Sequence, residues 1–173
     1  MMKVLTVAML ALSLIFGGAL GAVAEEAAPA AAPAVKPAVN VGDAVQPWEA
    51  KMAVGGEMVK SSAIAGPYAL VFVNSSCSSC RAELGTLAKR KKLGLEIYIV
   101  AVDANVERAV KVYQETLKIE FPILDGSDFK LADMFDFGST PSTVIVKGGK
   151  VDARTVGFSR SQRSEIIAKF DSY

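Results

Sequence analysis

Cys77-Ser78-Ser79-Cys80 contains the only two cysteines of this 173-residue chain, at the point where an apolar run gives way to a helix-like pattern. Two thiols at that spacing on the first turn of a helix can close a small disulfide ring. The first sulfur then lies among unpaired backbone N–H groups, where the helix dipole favours its thiolate and so its nucleophilicity. This is an arrangement for thiol–disulfide exchange. Glu83 falls one helical turn beyond Cys80, in register to accept a proton as that thiol ionises; the plainer alternative is a solvated helix glutamate. A purely structural staple is a poor account of the pair, because a four-residue ring removes little entropy from the unfolded chain.

The rest of the composition narrows the chemistry. The chain has no histidine, which excludes a Cys–His protease and a histidine-bearing metal site. Two cysteines alone do not supply the ligands of a structural zinc site, so no metal is expected. No segment reads as a cofactor-binding box, and none is expected. Half of the residues are apolar, 51%, enough to bury a sizeable core in one domain.

Three regions divide the chain. Residues 1–24 read as a secretory signal peptide: Lys3 gives a charged start, Val4 to Leu20 an apolar stretch, and Ala22-Val23-Ala24 a small-residue cleavage site. Left uncleaved, the same segment is nearly long enough to anchor the chain in a membrane. Residues 25–39 are mostly Ala and Pro and read as an extended linker. Residues 40–173 form the domain. Removing the signal takes Lys3 from nineteen basic residues and none from eighteen acidic ones, leaving a formally neutral chain in which nucleic-acid binding is not indicated. Export implies a periplasmic or extracytoplasmic location, where disulfides persist.

The elements that must position the cysteines follow from pattern. Val45 to Val54 and Glu57 to Lys60 flank Gly55-Gly56 and suggest an opening hairpin. Ala69 to Val73 is a continuous apolar run, the mark of a strand buried on both faces. A helix follows from Ser76 to about Lys92, with a serine as N-cap and Leu84, Leu87 and Ala88 on one face. The basic run Lys89 to Lys92 then lies at its C-terminus, where the dipole favours cations. Leu95 to Val102 is a second buried strand, and Val106, Ala109, Val110, Tyr113 and Leu117 recur at helical spacing. Strand, helix, strand, helix implies parallel pairing.

Ser127 caps a short helix carrying Phe129, Leu131, Ala132 and Phe135 and ending before Gly138. Ser142 to Lys147 and Val151 to Val156 alternate around Gly148-Gly149 as an antiparallel hairpin. Ser159 or Ser161 starts a last helix with Ile166, Ile167 and Phe170 inward. Trp48, Phe72, Phe121, Phe129 and Phe135 are read as packing residues, and Asn74 and Ser75 as shaping the loop before the cysteines through local side-chain bonds.

With those elements in place, from about Val41 to the C-terminus the chain resembles the TlpA/ResA-like branch of the thioredoxin superfamily, the exported thiol–disulfide oxidoreductases of bacteria. The residues that carry the resemblance are Leu70-Val-Phe-Val73, Cys77 to Leu84, Ile99-Val-Ala-Val-Asp103, Phe121-Pro-Ile-Leu-Asp125 and Gly138-Ser-Thr-Pro-Ser-Thr-Val-Ile-Val146. The resemblance implies an α/β, thioredoxin-like fold, a mixed central sheet flanked by helices with an N-terminal β-hairpin extension. It implies that Cys77 is the nucleophile and Cys80 the resolving thiol of a redox-active disulfide, and that Glu83 tunes the thiols or moves their protons. It makes Pro141 a cis-proline beside the cysteine pair, with the Thr140 backbone presented to an extended substrate segment. The implied partners are protein disulfide substrates, as in cytochrome c maturation for relatives, and a membrane thiol reductant.

The chain also departs from that pattern. Ser76 replaces the aromatic residue usual before the first cysteine, the proline common between or after the cysteines is missing, and Val71 stands where thioredoxins proper carry a buried acid. The redox potential therefore does not transfer. A disulfide oxidant, a peroxiredoxin-like peroxide reductase and a non-enzymatic binding module remain as alternatives. The second of these is weakened by Asn74, where a threonine is typical three residues before the reactive cysteine, and by the lack of proline in residues 68–76.

Overall fold

The computed structural model describes residues 37–38, 40–90 and 93–173. The signal peptide expected over 1–24 lies outside the described residues, as do Lys91, Lys92 and all of the expected linker except Pro37 and Ala38. Ala38, at the end of that linker span, is 2% exposed, and its N–H donates to Met134 O at 2.9 Å.

The hairpin expected at the start is present but shorter: β1 (Glu49–Lys51) pairs antiparallel with β2 (Met58–Lys60). The central sheet is built from β3 (Tyr68–Val73), β4 (Glu96–Ala101), β5 (Ile123–Asp125), β6 (Ser142–Lys147) and β7 (Lys150–Val156), in the order β5-β4-β3-β6-β7. β3 to β4 and β4 to β5 are parallel; β3 to β6 and β6 to β7 are antiparallel. The sheet is thus mixed, as expected, with β3 at its centre and every residue of β3 buried.

Alternation along β3 divides the core. Ala69, Val71 and Val73 pack with Leu84 and Leu87 of α1 (Ser78–Leu87), with Ala109 of α2 (Val106–Val110), and with Ile166 and Phe170 of α4 (Arg160–Asp171). Tyr68, Leu70 and Phe72 pack on the other face with Leu131 and Ala132 of α3 (Lys130–Met134) and with Trp48 and Ala50. Residues 40–53 reach that second face as a strap. Gly42 N donates to Val151 O at one edge of the sheet, and Ala53 N donates to Ile123 O at the other, both at 2.8 Å. Isolated bridges Ala44 to Lys150 and Met52 to Leu124 mark the same two edges. The segment thereby covers sheet edges that would otherwise present unpaired backbone groups.

Several expectations need correction. The cysteine helix ends at Leu87 rather than near Lys92, and Ala88 is exposed, so only Leu84 and Leu87 of the expected face point inward. Beyond α2 the helical pattern continues as a π-helical turn over Lys111–Thr116. The wider turn keeps Tyr113 buried but rotates Leu117 out to 41% exposure, where ordinary α spacing puts it inside. Ser127 does not cap α3: the N-cap is Phe129, whose φ of 59° lies in the left-handed region and whose ring is 48% exposed rather than in the core. β6 does not alternate either, since Ser142 and Thr143 are buried with their apolar neighbours. Ser159 is the N-cap of α4, its Oγ accepting from Gln162 N.

Candidate active site

α1 starts at the C-terminal end of the central strand, which is where a doubly flanked sheet leaves room for a site. Its N-cap is Cys77 itself rather than a serine: Sγ accepts from Cys80 N at 3.0 Å. The sulfur of the first cysteine therefore occupies the place that a capping oxygen usually fills, against a free N–H of the first helical turn. Cys77 and Cys80 are joined in a disulfide with Cα atoms 5.3 Å apart. Cys77 is half-buried, with Ser79 Oγ 3.6 Å from its sulfur, while Cys80 is fully buried beneath it. An incoming sulfur can reach only the first of the two.

The loop before Cys77 is pinned from several sides. Asp103, 7% exposed at the end of the β4 run, accepts from Ser75 N at 2.9 Å and from Ser75 Oγ at 2.6 Å. Arg81 donates to Ser75 O at 2.9 Å, and Tyr113 Oη donates to Asn74 O at 2.8 Å. Asn74 Oδ1 in turn accepts from Ser76 N, the local bond expected of an asparagine here. Burial pushes the Tyr113 hydroxyl well above the usual tyrosine range, so it remains a proton donor to the loop. Asp103 carried no role in the sequence reading. It was legible only as the acid that closes the Ile99–Asp103 motif, with nothing to tie it to the loop before Cys77.

Across from Cys77 runs the segment that leads into β6. The Thr140–Pro141 bond is cis, and Thr140 O lies 3.7 Å from Cys77 Sγ. The segment is tied down by Ser142 Oγ, which donates to Ser139 O at 2.7 Å and accepts from Gly157 N at 3.2 Å. Cys77, Cys80, Thr140 and Pro141 thus converge, although Cys77 and Thr140 are 63 positions apart in sequence.

Glu83 is no solvated helix glutamate. It is 3% exposed, and its Oε1 accepts from Thr143 Oγ1 at 2.8 Å. Thr143 on β6 stands opposite Val71 on β3, so the carboxylate hangs from the helix beside the strand position where the sequence lacks an acid. Burial pushes its pKa up from the usual glutamate range; the Thr143 hydroxyl and the more distant Arg163 act in the opposite direction. Arg163 is held by donating to Ala82 O and to Thr86 Oγ1 on α1.

A cavity of about 620 Å³ opens beside Cys77, with Phe72 and Phe137 in its wall and Thr140 at its lip. Phe137 meets Phe72 edge to face at 4.9 Å and stacks on Phe135 at 5.9 Å. Arg154 on β7 braces this cluster, donating to Phe135 O at 2.7 Å with its guanidinium 4.9 Å from the Phe137 ring. Phe129 and Asp133 complete the outer wall. Sequence reasoning placed Phe129 in the core and passed over Phe137 and Asp133, because no pattern distinguishes a cavity wall from a packed face.

A family model described as the AhpC/TSA family matches residues 41–154. Among similar solved structures is a protein from Chlorobium tepidum whose proposed name is thiol:disulfide interchange protein DsbE. It is 21% identical, with a TM-score of 0.65, covering 78% of this chain and 97% of that one. The thioredoxin domain of a thiol-disulfide oxidoreductase from Bacteroides vulgatus is also 21% identical, with a TM-score of 0.61 over 76% of this chain and 99% of that one. StoA from Bacillus subtilis is 19% identical, with a TM-score of 0.56 over 75% and 98%. At these identities the likeness establishes a shared thioredoxin-like fold. No curated protein matches the chain.

Proposed function

The chain belongs to the AhpC/TSA family, and from that premise we propose that it is an exported thiol–disulfide oxidoreductase that reduces protein disulfides, with Cys77 as nucleophile and Cys80 as resolving thiol. The observation that carries this reading is the placement of Cys77. Its sulfur caps α1, faces Thr140 O and opens on a cavity, with Cys80 buried directly behind it.

The reaction balances as two exchanges. In the reduced protein, the Cys77 thiolate attacks one sulfur of a substrate disulfide. A Cys77–substrate bond forms, the substrate S–S bond breaks, and the departing thiolate takes up a proton. Cys80, losing its proton, then attacks Cys77 Sγ, which closes the disulfide seen in the structure and releases the second substrate thiol. Substrate gains two electrons and the protein loses two; a dithiol reductant, in this reading a membrane thiol reductant, restores the dithiol. The Cys80 N–H and the helix dipole stabilise the Cys77 thiolate both as attacking group and as leaving group. Thr140 is suited to hold an extended substrate backbone beside Cys77, as an added strand.

Export is part of the reading: the signal pattern in residues 1–24 and the Ala- and Pro-rich span after it support a periplasmic or extracytoplasmic domain on a tether. Among the described residues no helix is long and apolar enough to cross a membrane.

Direction is decided by the potential of the Cys77–Cys80 couple, since two-cysteine oxidoreductases span about −270 to −120 mV. Equilibration with glutathione or dithiothreitol is expected to give a value toward the reducing end. A value near the oxidising end overturns the reductase assignment.

Glu83 is assigned as the group that receives the Cys80 proton. Glu83→Gln is expected to slow resolution of the mixed disulfide by about a hundredfold, the lower end of proton-transfer catalysis, and to flatten its pH profile. An unchanged profile removes the role. Stability moves independently. Because the folded-state pKa of Glu83 is raised, the stability it supports is complete below the unfolded glutamate pKa and is lost as pH rises through the folded value. Glu83→Gln therefore gains stability relative to the parent as pH rises from the unfolded glutamate pKa of about 4 toward the raised folded value, as measured by denaturant melts.

A further inference from the structure

We infer that the cavity beside Cys77 selects protein substrates in which a large apolar side chain and a lysine or arginine flank the reactive cysteine, with Phe129 and Asp133 as the specificity-determining residues. The inference rests on the exchange reading above and names its substrate class.

The cavity is large enough for more than one side chain: its volume of about 620 Å³ lies within the roughly 300–1,000 Å³ of pockets that hold small ligands. Its inner wall is apolar and fixed. Phe72 and Phe137 are 1% and 9% exposed, packed edge to face and braced from behind by Arg154. Such a wall receives an aromatic or large aliphatic side chain, which brings its own apolar surface out of water.

Phe129 is held over the opening by its backbone. Its φ of 59° is a conformation that bulky residues rarely adopt, and it turns the ring away from the core that Leu131 and Ala132 enter. The turn is anchored close against the sheet. Phe129 N donates to Gly126 O at 3.0 Å, and at Gly126 an added Cβ meets Val100 Cγ1 at 2.7 Å and Ala101 O at 2.9 Å. An aromatic ring left half in water at the edge of an apolar cavity that opens on the reactive sulfur is placed to close over an occupant.

Charge sets the second preference. Asp133 is the one charged side chain in the cavity lining, no basic residue joins it there, and among the described residues no salt bridge reaches it. A lysine or arginine beside the substrate cysteine lays its aliphatic stem along Phe129 and sets its cationic head on the Asp133 carboxylate. An acidic neighbour meets repulsion at the same point. The Cys77 to Thr140 contact joins this pocket to the place where the substrate backbone runs, so side chain and sulfur are read together.

The test uses the reduced full chain and two disulfide-linked peptides of equal length, one presenting Phe-Cys-Lys and the other Gly-Cys-Asp, with the rate of exchange measured for each. The first is expected to react faster by about tenfold or more, the scale on which a pocket discriminates one side chain. Phe129→Ala and Asp133→Asn each reduce that ratio, and Asp133→Lys reverses the charge preference. Both positions are exposed, so melting curves of the three variants stay near the parent's. Phe158→Ala, an exposed aromatic outside the cavity, leaves the ratio as it is. Equal rates for both peptides, each well above that of a free thiol, overturn the inference and leave the exchange reading standing. Exchange with neither peptide overturns both.

Discussion

Cys77→Ser abolishes exchange with a disulfide-bonded protein, while Cys80→Ser keeps the first attack and stalls at the mixed disulfide. The asymmetry follows from access. Cys80 is fully buried and cannot take over as nucleophile when Cys77 is lost, whereas Cys77 retains its N–H donor and its opening to the cavity when Cys80 is lost. The first variant is expected to fall to the background rate of an unassisted thiol in an insulin-type turbidity assay. The loss is one of chemistry and not of folding. Serine is itself a favoured N-cap, so α1 keeps its start. Opening a four-residue ring costs at most about 2 kcal/mol by loop-length arithmetic, which denaturant melts of oxidised parent and variant measure directly.

The largest stability effect is expected at Trp48, far from the cysteines in sequence. Its ring is 4% exposed, packs edge to face on Tyr68 at 5.7 Å, and donates through Nε1 to Tyr68 Oη at 3.0 Å. It is the anchor of the strap that crosses one face of the sheet and joins both edges. Trp48→Ala leaves a void between strap and sheet, removes the partner of a buried hydroxyl and is expected to cost about 3–5 kcal/mol. A shift in the denaturant midpoint with little change in slope is the expected signature. A variant as stable as its parent contradicts the role given to the strap.

How much of this was legible in the sequence depended on distance along the chain. The strand, the cysteine pair and the start of the helix are contiguous, so the apolar run and the spacing were sufficient to place them. The hairpin at Gly148-Gly149 was legible for the same reason. The place of Pro141 opposite Cys77 came from an ordered set of motifs, since no local pattern joins positions so far apart. Glu83 could be singled out by its helical offset from Cys80, but its burial depends on Thr143, sixty residues away, on a strand read as alternating apolar and polar. The ends of elements were misread where backbone geometry left the regular periods. The π-helical turn moved Leu117 outward, the left-handed Phe129 moved a presumed core ring to the cavity, and a sulfur took the capping place assigned to a serine. In each case the residue type was compatible with two positions, and only packing among remote segments chose between them.

The most direct test of the central claim is covalent trapping. The Cys80→Ser chain, expressed with its own N-terminal segment, is recovered from the extracytoplasmic fraction after acid quenching, and its adducts are mapped by mass. The account predicts mixed disulfides through Cys77 to cysteines of exported proteins, lost when Cys77 is also replaced by serine. No adduct at Cys77, or the same species in the double variant, contradicts it.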